Sequence, residues 1–174
     1  MSMLLLPIGL LAMVAAQRSP SDGGLRSDER SIAVLVSLQD PAAVAPQIDV
    51  TPGGLTTLSY FFLRNRGFVI RDTNETWVEA TIRLAPSGHR YTTREGAGIG
   101  TTTVAYSVRV RFGRRVFVVV SGEIAATDAY VWEAERFGVS PATEAGRTRI
   151  QADLTGCLES FVASFDDVNQ TLGR

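Results

Sequence analysis

Residues that could carry out catalysis are sparse in this 174-residue chain and poorly spaced for it. His89 is the single histidine, so any Ser-His-Asp arrangement or zinc site would have to be built around it. No Gly-x-Ser-x-Gly elbow occurs, and His89 follows Ser87 and Gly88 in a polar run that is typical of a solvated turn. The sequence therefore predicts neither a hydrolase triad nor a histidine-rich metal site.

Cys157 is the single cysteine, which excludes a disulfide within the chain. Its nearest ionisable neighbours, Asp153 and Glu159, would raise the pKa of the thiol and so disfavour the reactive thiolate. The glycine-rich run 96–100 lacks the Lys-Ser or Lys-Thr that follows a phosphate-binding loop, and it precedes a strand rather than a helix. We therefore expect a buried structural cysteine, no metal, no cofactor and no catalytic residues.

The best candidate for a functional site is a group of arginine and aromatic residues that could bind a protein partner. Tyr, Trp and Arg are the residue types enriched at interface hot spots, and a cluster of them can anchor a docking surface. The alternative is that the arginines lie on a solvated strand face and that the aromatic side chains pack over the end of the sheet. The candidate docking residues are Arg109, Arg111, Arg114, Arg115, Tyr130, Trp132 and Phe137.

The overall charge argues against nucleic acid as a partner. All 17 basic residues are arginine, yet the net charge is −1 and the isoelectric point is about 5.8. Such a chain has no global positive field to hold a polyanion. A protein partner is therefore expected, and a lipid is the second possibility.

A long hairpin should present these residues. Apolar residues alternate with polar ones over 104–112, which predicts a strand with one buried face. Gly113, Arg114 and Arg115 then predict the turn, and the β-branched run 116–120 predicts a returning strand buried on both faces. Residues 127–139 follow as a short helix or an irregular lid.

The remaining elements predict an α+β fold, with a mostly antiparallel sheet of about five strands and two helices on one face. Residues 31–38 read as a first strand buried on both faces, 55–65 as a helix, 68–71 as a second strand and 78–84 as a third. Ser140 and Pro141 mark the start of a C-terminal helix. Its apolar stripe consists of Ile150, Leu154, Cys157, Phe161, Phe165 and Val168. The expected order is β-α-β-β-β-β-α.

The N-terminus predicts export. Residues 1–16 form an apolar run ending in Val-Ala-Ala, which indicates a signal peptide cleaved before Gln17. The run is shorter than the roughly 20 apolar residues that span a bilayer, so a transmembrane anchor is the weaker alternative. Residues 17–30 are polar and predict a flexible tether, and 31–174 predict a single domain.

This pattern resembles small envelope proteins of Gram-negative bacteria, namely the lipopolysaccharide-assembly lipoprotein and the auxiliary lipoproteins of lipid-transport systems. The matching segments are IAVLVSL, LTTLSYFFLRNRGF running into FVIR, VAYSVRVRF with RRVFVVVSGEI, and IQADLTGCLESFVASF. The resemblance covers residues 31–168. Those families carry a lipidated cysteine after the signal peptide, whereas this chain has Gln17 or Arg18 there. The resemblance therefore implies the fold and an envelope location, without direct lipid anchoring.

We accordingly expect a non-catalytic periplasmic module that docks on a larger envelope assembly or transport complex, in the periplasm or at the outer membrane. The alternative is a helix-grip-like domain, in which a curved sheet and a long C-terminal helix hold an apolar small molecule or lipid between them.

Overall fold

The computed structural model describes residues 30–40, 44–72, 75–91, 101–142 and 145–172. The predicted signal peptide, nearly all of the predicted tether and the run 96–100 lie outside the described residues, as does the side chain of His89. The elements are β1 Ser31–Gln39, a 3-10 turn Ala45–Gln47, α1 Pro52–Asn65, β2 Val69–Ile70, β3 Thr76–Tyr91, β4 Thr101–Val120, β5 Glu123–Pro141, a π-helical turn Ala145–Ile150 and α2 Gln151–Leu172.

The described strands form one mixed sheet of five strands in the order β2-β1-β3-β4-β5. β1 runs parallel to β2 and β3, while the much longer β3–β4 and β4–β5 ladders are antiparallel. The predicted α+β class, the five strands and the two helices are confirmed, and "mostly antiparallel" is roughly right. The last two strands differ from the prediction, because 104–112 and 116–120 both belong to β4 and the fifth strand is 123–141.

Helix α1 begins where its N-terminal residues can cap it. The Thr51 hydroxyl accepts a hydrogen bond from the Gly54 amide at 3.1 Å, and Pro52 occupies the first helical turn. Thr51 and Pro52 thus cap and begin the helix, as their residue types predict, and the helix includes 52–54 ahead of the predicted span 55–65. The helix ends before Gly67, whose φ of +83° is the left-handed conformation in which glycine commonly terminates a helix.

The core lies between the helices and one face of the sheet. Aromatic rings meet there. The Phe112 ring of β4 lies 5.3 Å from the Phe161 ring of α2, and the Phe68 ring, just before β2, lies 5.1 Å from the Phe165 ring of α2. Arg30, the last residue of the predicted tether, closes one end of this core. Its guanidinium lies 5.3 Å from the centres of the Phe68 and Phe165 rings and 2.7 Å from the Asp166 carboxylate.

Cys157 lies in this core, as predicted, with 1% of its surface exposed. Its Sγ faces the carbonyl oxygen of Val108 at 3.9 Å. Burial raises the pKa of the thiol, so at neutral pH the reactive thiolate is scarce.

Cys157→Ser should lower the free energy of unfolding by about 1–2 kcal/mol, because a more polar hydroxyl would be buried against apolar neighbours. Urea denaturation measures the change, with Cys157→Ala as the control for lost volume. The native thiol should react slowly with a thiol reagent. Rapid labelling of folded protein at pH 7 would contradict the burial.

The predicted turn at Gly113, Arg114 and Arg115 is wrong. β4 continues through it to Val120, and the turn lies at Ser121 and Gly122, whose φ values are 52° and 86°. Gly113 serves another purpose: a Cβ there would lie 2.4 Å from the Trp77 ring, so glycine makes room for that ring to cover β4.

The structure corrects three other predictions, those for residues 127–139, for the burial of β1 and for the run 116–120. Residues 127–139 are neither helix nor lid but part of β5, paired with β4. Ser140 and Pro141 end that strand, and Ala142 directly after them is already helical, which agrees with the predicted helix start. β1 is buried on both faces only over 32–34, since Leu35 is already 51% exposed. The run 116–120, expected to be buried on both faces, projects past the end of β3 and is largely exposed.

Candidate functional site

The candidate site is the sheet face opposite the helices, here called the open face. On β4 the even-numbered residues face the helices, so the odd-numbered ones occupy the open face, together with their register partners on β3 and β5. The central residues of the open face are Trp77, Glu79, Thr81, Ser107, Arg109, Arg111, Tyr130, Glu133, Glu135 and Phe137.

Arginines on the open face are paired with carboxylates. Arg109 lies 2.9 Å from Glu135 and 3.7 Å from Glu133, while Arg111 contacts Glu79 at 3.1 Å. The hydrogen bond to Glu135 raises the pKa of Arg109 above its already high value. Two cations thus face three carboxylates, so this part of the surface is a charge-paired ladder and not a basic patch.

Tyr130 is held on the open face by Arg111, Trp77 and Glu79, and these four residues are here called the Tyr130 cluster. The Arg111 guanidinium lies 3.9 Å from the centre of its ring, and the Trp77 ring packs edge-on at 6.2 Å. The phenol donates a hydrogen bond to the Glu79 carboxylate, and this bond raises the pKa of Tyr130. The ring is nevertheless 48% exposed, so it offers a fixed aromatic surface to solvent.

Trp132 lies on the other side of the sheet. Val131 is an extra residue in β5, because Phe112 pairs with Trp132 while Gly113 pairs with Tyr130. This bulge puts Tyr130 and Trp132 on opposite faces. The Trp132 ring packs against Phe161 at 5.5 Å, so it belongs to the core margin, as the packing alternative expected.

The other candidate residues lie at the two ends of the open face. Phe137 is 74% exposed near one end and borders a shallow apolar cleft of about 260 Å³. Arg115 lies at the opposite end, 3.6 Å from Asp128. Arg114 occupies an even position in β4 and pairs with Thr76 and Ala129, so it is on the opposite side from Arg115. The seven candidate residues therefore do not form one patch.

A second cleft, of about 470 Å³, separates the end of β5 from the start of α2. Within it Tyr106 donates a hydrogen bond to Asp153 at 2.8 Å, and Arg136 approaches the same carboxylate at 3.4 Å. Burial, aided by Asp153, raises the pKa of Tyr106 to about 12, so the phenol stays protonated at neutral pH.

In the described part of the chain, no three His, Cys, Asp or Glu side chains gather as metal ligands would.

Sequence reasoning missed two residues of the Tyr130 cluster, Trp77 and Glu79. Glu79 was marked as outward-facing by the alternation of β3, but its pairing with Arg111 depends on the register between strands. A signal for Trp77 was the lone Gly113 inside a strand pattern, since such a glycine often marks the close approach of another group.

Several solved structures are similar in fold to this chain. The sequence matches no protein-family model and no curated protein. The chain is similar in structure to a PelC dodecamer from Paraburkholderia phytofirmans, at 15% identity and a TM-score of 0.35, over 82% of this chain and 87% of that one. It is also similar to rare lipoprotein B from Shewanella oneidensis, at 16% identity and a TM-score of 0.24, over 80% of this chain and 93% of that one. Function must therefore be inferred from this chain's own residues.

Proposed function

We propose that this protein is a non-catalytic module of the bacterial cell envelope that docks on a protein partner through the open face. The observation that carries the proposal is the Tyr130 cluster, in which an exposed aromatic ring is fixed by an arginine, a glutamate and a tryptophan on a sheet face that no described element covers. Ordered Tyr, Trp and Arg side chains lose little conformational entropy when a partner binds.

A protein partner suits this surface better than a lipid. The centre of the open face carries both signs of charge in a fixed ladder, which a protein with complementary polar groups can match and an acyl chain cannot. Exposed Phe137 and Val139 add an apolar contact at one end.

The helix-grip alternative receives less support. It requires room between the sheet and the C-terminal helix, and that position is occupied by Phe112, Phe161 and Phe165, all fully buried and in ring contact. Of the two clefts described above, the smaller lies on the open face. The larger lies between the sheet and the start of α2, beside the ring-packed layer, and its lining includes the polar side chains of Asp153, Arg149 and Thr148, which suit an apolar ligand poorly.

An envelope location is part of the proposal and rests on the apolar N-terminal run, which has the length of a signal peptide's hydrophobic segment. Neither helix in the described part of the chain combines the length and the hydrophobicity needed to cross a membrane. In this proposal the domain is exported and functions at the envelope.

Combined truncation of Tyr130 and Phe137 to alanine should weaken partner binding by about 2 kcal/mol or more, a loss of roughly 30-fold. The measurement is quantitative co-purification from the native host after mild crosslinking, normalised to folded protein. Phe61→Ala is the matched control, because Phe61 is 66% exposed on α1, away from the open face. Equal partner recovery from all three proteins would contradict docking through the open face, and native mass spectrometry finding a bound lipid instead would favour the alternative.

A further inference from the structure

The larger cleft, of about 470 Å³, has the size of a small-molecule site. It lies on the helix side of the sheet, because Tyr106 and its register partner Gly138 face the helices. One wall is formed by residues 137–141 at the end of β5, and the other by the helical turn from Thr148 to Asp153. The cleft therefore opens on the opposite side of the sheet from the Tyr130 cluster.

Two glycines leave room for polar side chains at this cleft. A Cβ at Gly138 would collide with the Tyr106 ring, and a Cβ at Gly156 would collide with the Arg136 guanidinium. Glycine lowers the stability of a strand or helix interior relative to alanine, so both positions sacrifice some stability. In return, Tyr106 lies over β5 and Arg136 lies against α2, and both side chains reach Asp153.

Asp153 is a positioned carboxylate that can still accept hydrogen bonds. Its Oδ2 accepts the Tyr106 hydrogen bond at 2.8 Å, whereas Arg136 lies 3.4 Å from Oδ1, beyond the range of about 2.7–2.9 Å for a strong charge-assisted bond. The side chain is 24% exposed, and a carboxylate has about four acceptor sites. Asp153 can therefore also bind the ammonium group of a ligand.

Arg149 carries a second charge at the cleft. It is exposed, and among the described residues it has no ion pair and no hydrogen bond. It precedes Asp153 by four residues of continuous helical structure, a spacing that makes two side chains neighbours, yet within the described residues no ion pair joins the two. A guanidinium can bind a carboxylate through two parallel hydrogen bonds. The same wall thus presents a cation and an anion that are not paired with each other.

Ser140 adds an unpartnered hydroxyl beside the cleft. The residue borders the cleft at the end of β5, is 4% exposed, and its hydroxyl has no hydrogen-bond partner among the described residues. Buried polar groups are nearly always hydrogen-bonded, so such a hydroxyl calls for an explanation. A change of rotamer would bring it within reach of a ligand carboxylate in the cleft.

We infer that the cleft binds a small zwitterion of the α-amino acid class, with its carboxylate on Arg149 and its ammonium group on Asp153. A simple anion would pair with Arg149 but face the Asp153 carboxylate, and a simple amine would pair with Asp153 but face the Arg149 guanidinium. A molecule that carries both groups on one carbon pairs with both side chains at once. This site is independent of the proposed docking function, since the Tyr130 cluster lies on the other face.

Binding of free amino acids to the intact chain tests the inference. A thermal-shift screen of the common L-amino acids identifies the one that raises the melting temperature most, and titration calorimetry then measures its dissociation constant. Two matched probes each lack one charged group; for leucine they are isocaproate, without the amine, and isoamylamine, without the carboxylate. Each probe should bind at least about tenfold more weakly than the amino acid, because it loses one charge-assisted contact.

Arg149→Gln and Asp153→Asn should each raise the dissociation constant of the amino acid at least about tenfold. Arg64→Gln is the matched control, because Arg64 is exposed on α1 and does not border the cleft, and it should bind like the wild type. Circular dichroism checks the fold of each variant, and exposed Arg149 keeps the test valid if Asp153→Asn, which alters the Tyr106 contact, fails to fold.

The probes also distinguish the two roles. Arg149→Gln should remove the advantage of the amino acid over its amine probe, and Asp153→Asn should remove its advantage over the carboxylate probe. A merely structural role for either residue would not produce this pair of complementary losses.

The inference is overturned if no common L-amino acid binds with a dissociation constant below about 10 mM. It is equally overturned by a probe with one charged group that binds as tightly as the amino acid, or by an Arg149→Gln protein that binds like the wild type. An equal loss of affinity in Arg64→Gln would also contradict it, since binding would then follow the total charge of the protein and not the cleft.

Discussion

Phe161→Ala should lower the free energy of unfolding by about 3–5 kcal/mol, the range for deleting a large aromatic side chain from a packed core. Phe161 is fully buried and lies 5.3–6.0 Å from the ring centres of Phe68, Phe112, Trp132 and Phe165. Truncation therefore removes one partner from four ring contacts and leaves a cavity between α2 and the sheet.

Urea denaturation with a fixed two-state analysis measures this loss. Phe61→Ala serves as the control, since Phe61 is 66% exposed and should change stability by no more than about 0.5 kcal/mol. A loss below about 1 kcal/mol for Phe161→Ala would mean that α2 does not pack on the sheet through this ring.

Trp132→Ala should destabilise the protein by about 2–4 kcal/mol while leaving partner recovery per folded molecule unchanged. The side chain packs edge-on against Phe161 at 5.5 Å, and its indole N–H donates to the Ser164 hydroxyl at 3.2 Å. Both contacts join β5 to α2. A loss of this size should lower the melting temperature by roughly 5–15 °C in a domain of this length.

Trp132→Phe separates the two contributions, because it keeps most of the ring packing and removes the hydrogen bond, for an expected loss of about 1 kcal/mol. The outcome that would contradict the assignment is a Trp132→Ala protein that melts like the wild type but fails to recover its partner. In that case Trp132 would belong to the docking surface, as the sequence indicated, and not to the core margin.

Register and local irregularity explain why the candidate site could be predicted only in part. The sequence grouped Tyr130 and Trp132 as docking residues because of their aromatic type, in a segment expected to be a short helix or an irregular lid. The extra residue at Val131 separates them, and nothing in the local sequence distinguishes a bulge there from regular alternation. Likewise, Arg109 and Arg111 were recognisable as outward-facing, but their carboxylate partners come from β3 and β5 and depend on strand pairing.

Periodicity in the sequence was sufficient to predict which residues are buried in the elements that have one buried face. Alternation predicted that Val78, Ile82, Val108 and Val110 are buried, and the helical stripe predicted the same for Cys157, because a periodic pattern directly records which face meets the core. In contrast, the residue at which β4 ends and the exposure of residues 116–120 could be known only from the tertiary structure of the sheet. Hydrophobicity indicates that a segment favours burial, but the lengths of the neighbouring strands decide whether anything covers it. Here β3 begins only at Thr76, so residues 116–120 extend past it and are largely exposed.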